Sequence, residues 1–245
     1  MHAMLKTTEI EARLLTREPL MLFFSLAFPT ILLTVLALVP ALSEPAEDMG
    51  GVRFIDHFAP SVVVLTLALV ALQGVPNVLA GYREQGVLRR LSVTPASPAL
   101  ILFAQLGLNF AMATISTMLV MAVGRLAFDI PLPHHMAGFA LAFVVGIIAL
   151  FGVGLIIAAV APTTRAAGGM ATVAYLLVIF FGGVMLPRFL LPDTITRLGA
   201  YAPPGVQALA DAWTGSAPPQ ASHLLIMAGI AVLSAAVAAR LFRWE

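Results

Sequence analysis

The chain contains no cysteine, which excludes disulfide frameworks, thiolate metal sites and cysteine nucleophiles. Charge is almost as scarce: Asp, Glu, Lys and Arg together make up 10% of the 245 residues, against roughly 25% in ordinary soluble domains. Lys6 is the sole lysine. A P-loop holds phosphates with G-x-x-x-x-G-K-[ST], and no such glycines precede Lys6, so this chain does not bind ATP in that way. Like charges never run beyond Arg89 and Arg90, and the formal net charge is +1; neither gives a basic face for nucleic acid. Neither a G-x-S-x-G nucleophile elbow nor an H-E-x-x-H helix occurs, so hydrolysis has no visible machinery. His134 and His135 are adjacent rather than four apart, which is poor spacing for a metal pair on a helix, and no metal site is expected.

What remains is apolar. Hydrophobic residues are 60% of the chain and the mean hydropathy is +1.00, so lipid must serve as solvent for much of it. A crossing helix needs about 20 apolar residues without charge. Six such runs are present, at 20–41, 58–81, 98–124, 136–161, 166–186 and 222–239. The first is longer than the apolar core of a secretory signal and is read as retained. The expected fold is therefore an all-α integral membrane bundle forming one transmembrane domain over residues 1–245.

Lys and Arg residues in short loops set orientation. With six spans both termini share one side. That side carries Lys6, Arg13, Arg17, Arg83, Arg89, Arg90, Arg165, Arg240 and Arg243, against Arg53, Arg125, Arg188 and Arg197 on the other. Both termini are thus expected in the cytoplasm. Tyr82 and Trp244 fall at the inner interface and Tyr201 and Trp213 at the outer, where amphipathic rings are favoured.

Three segments outside the spans have character of their own. Residues 1–18 read as an interfacial helix: Thr8 and Glu11 have capping-box spacing, Glu9 and Arg13 form an i,i+4 pair, and Ile10 and Leu14 make an apolar stripe for the inner leaflet. Residues 82–95 give one or two helical turns stopped by Pro95, and Ser97-Pro98 suits the start of the third span. This segment is either a positive-inside anchor or a charged knob shaped for a partner's groove. Residues 187–221 are too polar to span and too apolar for a solvated loop. Pro192 with Asp193 opens one short helix and Pro203-Pro204 another from Gly205 to Trp213, giving either two half-inserted helices, with Leu190, Leu191, Ile195 and Leu198 dipping into the outer leaflet, or an ordinary exterior loop.

No Asp, Glu, Lys, Arg or His lies deep in any of the six runs, which argues against proton relays and voltage sensing. Gln73 with Asn77, and Gln105 with Asn109, form i,i+4 polar patches in the cytoplasmic half of the second and third spans. They are either interhelical glue or the lining of an inward-facing substrate path. Tyr175, Phe180 and Phe181 offer an aromatic wall for such a path or a packed stripe. Gly168 with Thr172, and Gly146, Gly152 and Gly154, mark close helix contact.

The stretch Tyr82-Arg83-Glu84-x-Gly86-x-Leu88-Arg89-Arg90-Leu91-x-x-Thr94-Pro95-x-Ser97-Pro98 resembles the cytoplasmic coupling segment of type 2 ABC exporter permeases, notably the daunorubicin-type drug-efflux branch. Gly182-Gly183 through Pro187, Leu191-Pro192 and Tyr201-x-Pro203-Pro204 resemble that family's fifth span and re-entrant exterior hairpin. The resemblance implies a permease without catalysis of its own in a bacterial cytoplasmic membrane, paired with a second copy or a related permease and surrounded by lipid. It implies that Tyr82, Arg83, Glu84, Gly86, Leu88, Arg89 and Arg90 couple to a separate ABC ATPase, which would hold the ATP and magnesium. The implied cargo is hydrophobic or amphipathic. A glycan or lipid-linked saccharide exporter of the same architecture, or a six-span membrane enzyme or assembly subunit, are the alternative readings.

Overall fold

The computed structural model describes residues 2–46, 51–87, 90, 98–186, 191–215 and 218–241. Six helices in it are long and apolar enough to cross a membrane: Pro19–Ala37, Phe54–Glu84, Pro98–Phe128, Met136–Val160, Thr164–Phe181 and Ala221–Leu241. The expected all-α membrane fold is what the chain adopts. One antiparallel ladder of two residues a side, Pro45–Ala46 with Val52–Arg53, sits between the first and second spans.

Span ends differ from the sequence expectation for local reasons. The first span stops at Ala37 because Pro40 holds Val39 extended, with ψ 114°. The second begins earlier, at Phe54, and runs on to Glu84, so Tyr82, Arg83 and Glu84 form its last turn rather than the start of a separate helix. The third continues past Gly124 to Phe128 and takes Arg125 into its final turn, where a cation suits the helix C-terminus. The fifth ends at Phe181, and Gly183, with φ +74°, turns the chain.

The second span is the axis of the bundle. Of its most apolar stretch 83% is buried, against 22% for the first, fifth and sixth spans. The first span packs against the second and third, the fifth against the second, and the sixth against the fourth. Two π turns interrupt regular helix, Phe23–Ala27 before Pro29 and Leu69–Gly74 before Pro76; proline has no N–H to continue the ladder, and a wider turn upstream accommodates the break. Small residues permit close approach where side chains cannot fit. A Cβ on Gly146 would collide with the Pro204 carbonyl, one on Gly152 with the Ser234 hydroxyl, and one on Gly154 would lie 2.8 Å from the Ala71 carbonyl oxygen.

The surface helix, His2–Leu15, packs on the third span. Its Glu9–Arg13 pair forms at 2.6 Å on the exposed side, and Ile10 and Leu14 stand exposed as a stripe. The capping box does not form. The helix starts well before Thr8, whose hydroxyl donates to the Met4 carbonyl instead, and Glu11 turns inward and is 4% exposed.

After the fifth span come two short helices, Asp193–Ala200 and Val206–Thr214. The second of these buries Val206, Leu209 and Trp213 against the second and fourth spans, and its terminal carbonyls at Ala212 and Trp213 accept from the His135 and His134 amides. Trp213 is therefore not an interfacial belt residue: it is 2% exposed and sits edge-on to Phe139, with ring centroids 5.5 Å apart. Leu191 is buried, Ile195 half-buried and Leu198 exposed. Arg53 holds the same end of the bundle together, pairing with Asp56 at 2.8 Å and donating to the carbonyls of Phe128 and Asp129 at the end of the third span. The hydrogen bond with Asp56 raises its pKa above the ordinary arginine value.

Gly146→Ala should lower stability by about 1–3 kcal/mol, the usual cost of overpacking, because its new methyl meets backbone rather than a movable side chain. Gly107→Ala, with nothing within 4 Å of the added carbon, should leave the thermal midpoint unchanged or raise it; equal losses in both variants in a detergent melting assay would remove the close-contact explanation.

Candidate functional site

Successive residues of an α-helix point roughly 100° apart, so three in a row at a helix end reach in three directions. Tyr82, Arg83 and Glu84 do this at the end of the second span. The Tyr82 hydroxyl donates to Glu11 Oε2 of the surface helix at 2.7 Å. Arg83 donates to the carbonyls of Ala159, at 3.1 Å, and Ala161, where the fourth span ends. Glu84 Oε2 accepts from the Thr164 amide at 2.8 Å and from the Thr164 hydroxyl, where the fifth span begins. Each charge suits its partner: a cation on the partial negative end of one helix and an anion on the partial positive end of the next. Thr163 adds an ordinary N-cap, its hydroxyl accepting from the Ala166 amide at 3.2 Å.

Gly86 ends the span with φ +68°, a left-handed conformation that a side chain strains. Beyond it the Arg90 amide donates to the Gly86 carbonyl, and its guanidinium to the Gln85 carbonyl at 3.0 Å. Leu88 and Arg89 lie outside the described residues, as do Leu91 to Ser97.

The two polar pairs behave differently from one another. Asn77 Nδ2 donates to the Gln73 carbonyl on its own helix at 2.7 Å, and Asn109 Nδ2 to the Gln105 carbonyl at 2.8 Å. Among the described residues no hydrogen bond joins the pairs across helices. The Gln105 side chain instead donates to Glu11 Oε2, beside Tyr82. Gln73, Asn77 and Gln105 line a cavity of about 530 Å³, together with Glu11, Tyr82 and Met21, within the usual range for small-molecule sites. Asn109 lies deeper, 1% exposed, with Oδ1 unpartnered; a Cβ on Gly74 would come within 2.8 Å of that oxygen.

Tyr175, Phe180 and Phe181 do not border this cavity. Tyr175 is half-buried, and Phe180 and Phe181 stack edge to face at 5.5 Å. Phe181 supports the first hairpin helix, where a Cβ on Gly199 would lie 3.0 Å from its ring. Of the hairpin residues, Leu191 is buried, Pro192 opens the first short helix, Pro203 lies in the turn before the second, and Tyr201 sits against the His223 ring at 5.2 Å; Pro187 falls outside the described residues. A second, almost wholly apolar cavity of about 310 Å³ lies between the third and fourth spans, lined by Phe110, Met121, Phe139 and Phe143 among others. Among the described residues no three His, Asp or Glu side chains converge as metal ligands would.

Sequence reasoning missed Glu11 as a buried group, Thr164 as the partner of Glu84, and Arg53 as a clamp. Glu11 left one legible signal: it shares a helical face, four residues on, with Leu15 rather than with the exposed Glu9 and Arg13.

The family described as ABC-2 type transporter matches residues 7–208, from the surface helix into the second hairpin helix. Comparison with curated proteins gives no match.

Tyr82→Phe should leave the buried Glu11 carboxylate short of one donor and cost about 1–3 kcal/mol. Hydrogen exchange should quicken in the surface helix, at residues 8–15, and not in the sixth span; uniform quickening or none would disconnect Tyr82 from that helix.

Proposed function

Because the chain belongs to the ABC-2 type transporter family, as its match over residues 7–208 shows, we propose that it is the permease subunit of an ATP-driven exporter in a bacterial cytoplasmic membrane, with both termini in the cytoplasm. A member of this family is a membrane subunit of a type 2 ABC transporter, and such permeases work with an ABC ATPase. In this reading the ATPase is a separate polypeptide that holds ATP and magnesium, two permeases stand side by side, and the cargo is hydrophobic or amphipathic, as in the drug-efflux branch.

The observation that carries the reading is the three-way connection at the end of the second span. A push that reaches the turn Tyr82 to Glu84 is passed to three neighbours: Tyr82 engages the surface helix, Arg83 the end of the fourth span and Glu84 the start of the fifth. The walls of the 530 Å³ cavity belong to the surface helix and the first three spans, so the same push alters the cavity. The π turn Leu69–Gly74 ends at its wall, where Gln73 and Gly74 line it, and π turns are common at functional sites. On this account the cavity is the inward-facing path, Gln73, Asn77 and Gln105 contact the cargo, and Asn109 supports them from below.

Glu84→Ala, or reversal of Arg89 and Arg90 to glutamate, should leave membrane insertion intact while nucleotide hydrolysis by the assembled transporter no longer drives export; full transport in both variants would remove the segment from the mechanism. Gln73→Leu with Asn77→Leu should change the ranking of exported compounds, whereas a change confined to the thermal midpoint would return both residues to a packing role.

A further inference from the structure

Glu11 is the buried carboxylate in the wall of the larger cavity. It is 4% exposed, and its hydrogen bonds come from two neutral donors, Tyr82 and Gln105, both onto Oε2. Among the described residues no hydrogen bond reaches Oε1, and no lysine, arginine or histidine lies within ion-pair distance of the carboxylate. Oε1 is open to the cavity that Glu11 lines, and a carboxylate in a partly apolar recess without a cation gains when a cation arrives. Gln73 stands on the same cavity wall with a side-chain amide that makes no hydrogen bond among the described residues, and so has a free acceptor oxygen.

We infer that this cavity is a binding site for the ammonium head of an amphipath, with Glu11 as counter-ion and Gln73 as a second acceptor. An ammonium brings several N–H donors and one positive charge, which matches one carboxylate oxygen and one amide oxygen. Leu14, Leu15, Met21 and Val78 offer apolar contact for the attached chain. Arg17 and Glu18 at the rim carry opposite charges and leave Glu11 to set the sign inside. An anion would be repelled, a neutral ligand would leave the carboxylate unpaired, and a bare metal ion would want more oxygen ligands than converge here. Ammonium amphipaths have two sources next to such a site: the headgroup of a membrane lipid, or a free alkylamine partitioned into the leaflet. The inference concerns occupancy and uses the cavity without requiring that its occupant be exported, so binding to the permease alone and transport by the assembled transporter can fail separately.

The full chain in neutral maltoside micelles would be titrated with hexadecylamine and with hexadecanol, which differ in the charged head, and binding followed by native mass spectrometry. The amine should bind at least about tenfold more tightly, the scale of a hydrogen bond to a charged group. Glu11→Gln keeps an acceptor for Tyr82 and Gln105 and should abolish the preference, while Val78→Trp should reduce binding of both compounds by filling the cavity. Equal binding of amine and alcohol, a preference that survives Glu11→Gln, or unaltered binding to Val78→Trp in folded protein would each overturn the inference. Competition by phosphatidylethanolamine but not phosphatidylglycerol, lost in Glu11→Gln, would support it with a lipid headgroup as the occupant; absence of that competition beside a Glu11-dependent amine preference would support it with a free amphipathic amine.

Discussion

A helix end is a set of backbone groups without partners, and in a membrane protein those groups must be satisfied where water is scarce. The second span solves this for two neighbours at once. Its last turn offers a guanidinium to the carbonyls that finish the fourth span and a carboxylate to the amide that starts the fifth. The short connection between those spans, Ala161 to Thr163, therefore has its geometry fixed from outside itself. Much else depends on this arrangement: the fifth span lies against the second, and the second fills the centre of the bundle.

At the opposite end of the molecule the same problem has a different solution. Arg53 caps the third span through the carbonyls of Phe128 and Asp129 while Asp56 neutralises it. The hairpin helix Val206–Thr214 enters the bundle and hands its last carbonyls to the amides of His134 and His135. Backbone bonds within each short helix permit this seating in an apolar setting, and the glycine at 146 makes room for the turn that carries Pro204. Charged clamps at both ends thus surround a core that contains almost none.

Much of this was legible in the residues. Uncharged runs marked six spans because hydrocarbon tolerates little else, and the prolines at 192, 203 and 204 marked both hairpin helices because proline begins helices readily. Glycines at 146, 152 and 154 marked contacts for want of a Cβ. What was not legible depends on long-range geometry. Residues 82–95 read as either a positive-inside anchor or a charged knob, and sequence spacing cannot reveal that the partners of Tyr82, Arg83 and Glu84 lie some 70 to 80 residues away. Glu11 looked like a cap because Thr8 stands three residues before it, yet the helix begins earlier and the carboxylate faces Gln105, 94 residues on. Gln105 and Asn109 were visible as a pair, but only the fold separates the residue that borders the cavity from the one beneath it.

The π turn at Leu69–Gly74 has a consequence for how the gene can change. A regular helix that loses one residue turns everything beyond the deletion by roughly 100°, which would swing Tyr82, Arg83 and Glu84 away from all three of their partners. A π turn already holds the surplus of one residue locally. Shortening the chain by one codon inside this turn would let the residues downstream keep their heading, with the break in the ladder at Pro76 left to be absorbed locally. Along the second span, codons 69–74 are thus where a single-residue change in length is compatible with an intact junction on the far side.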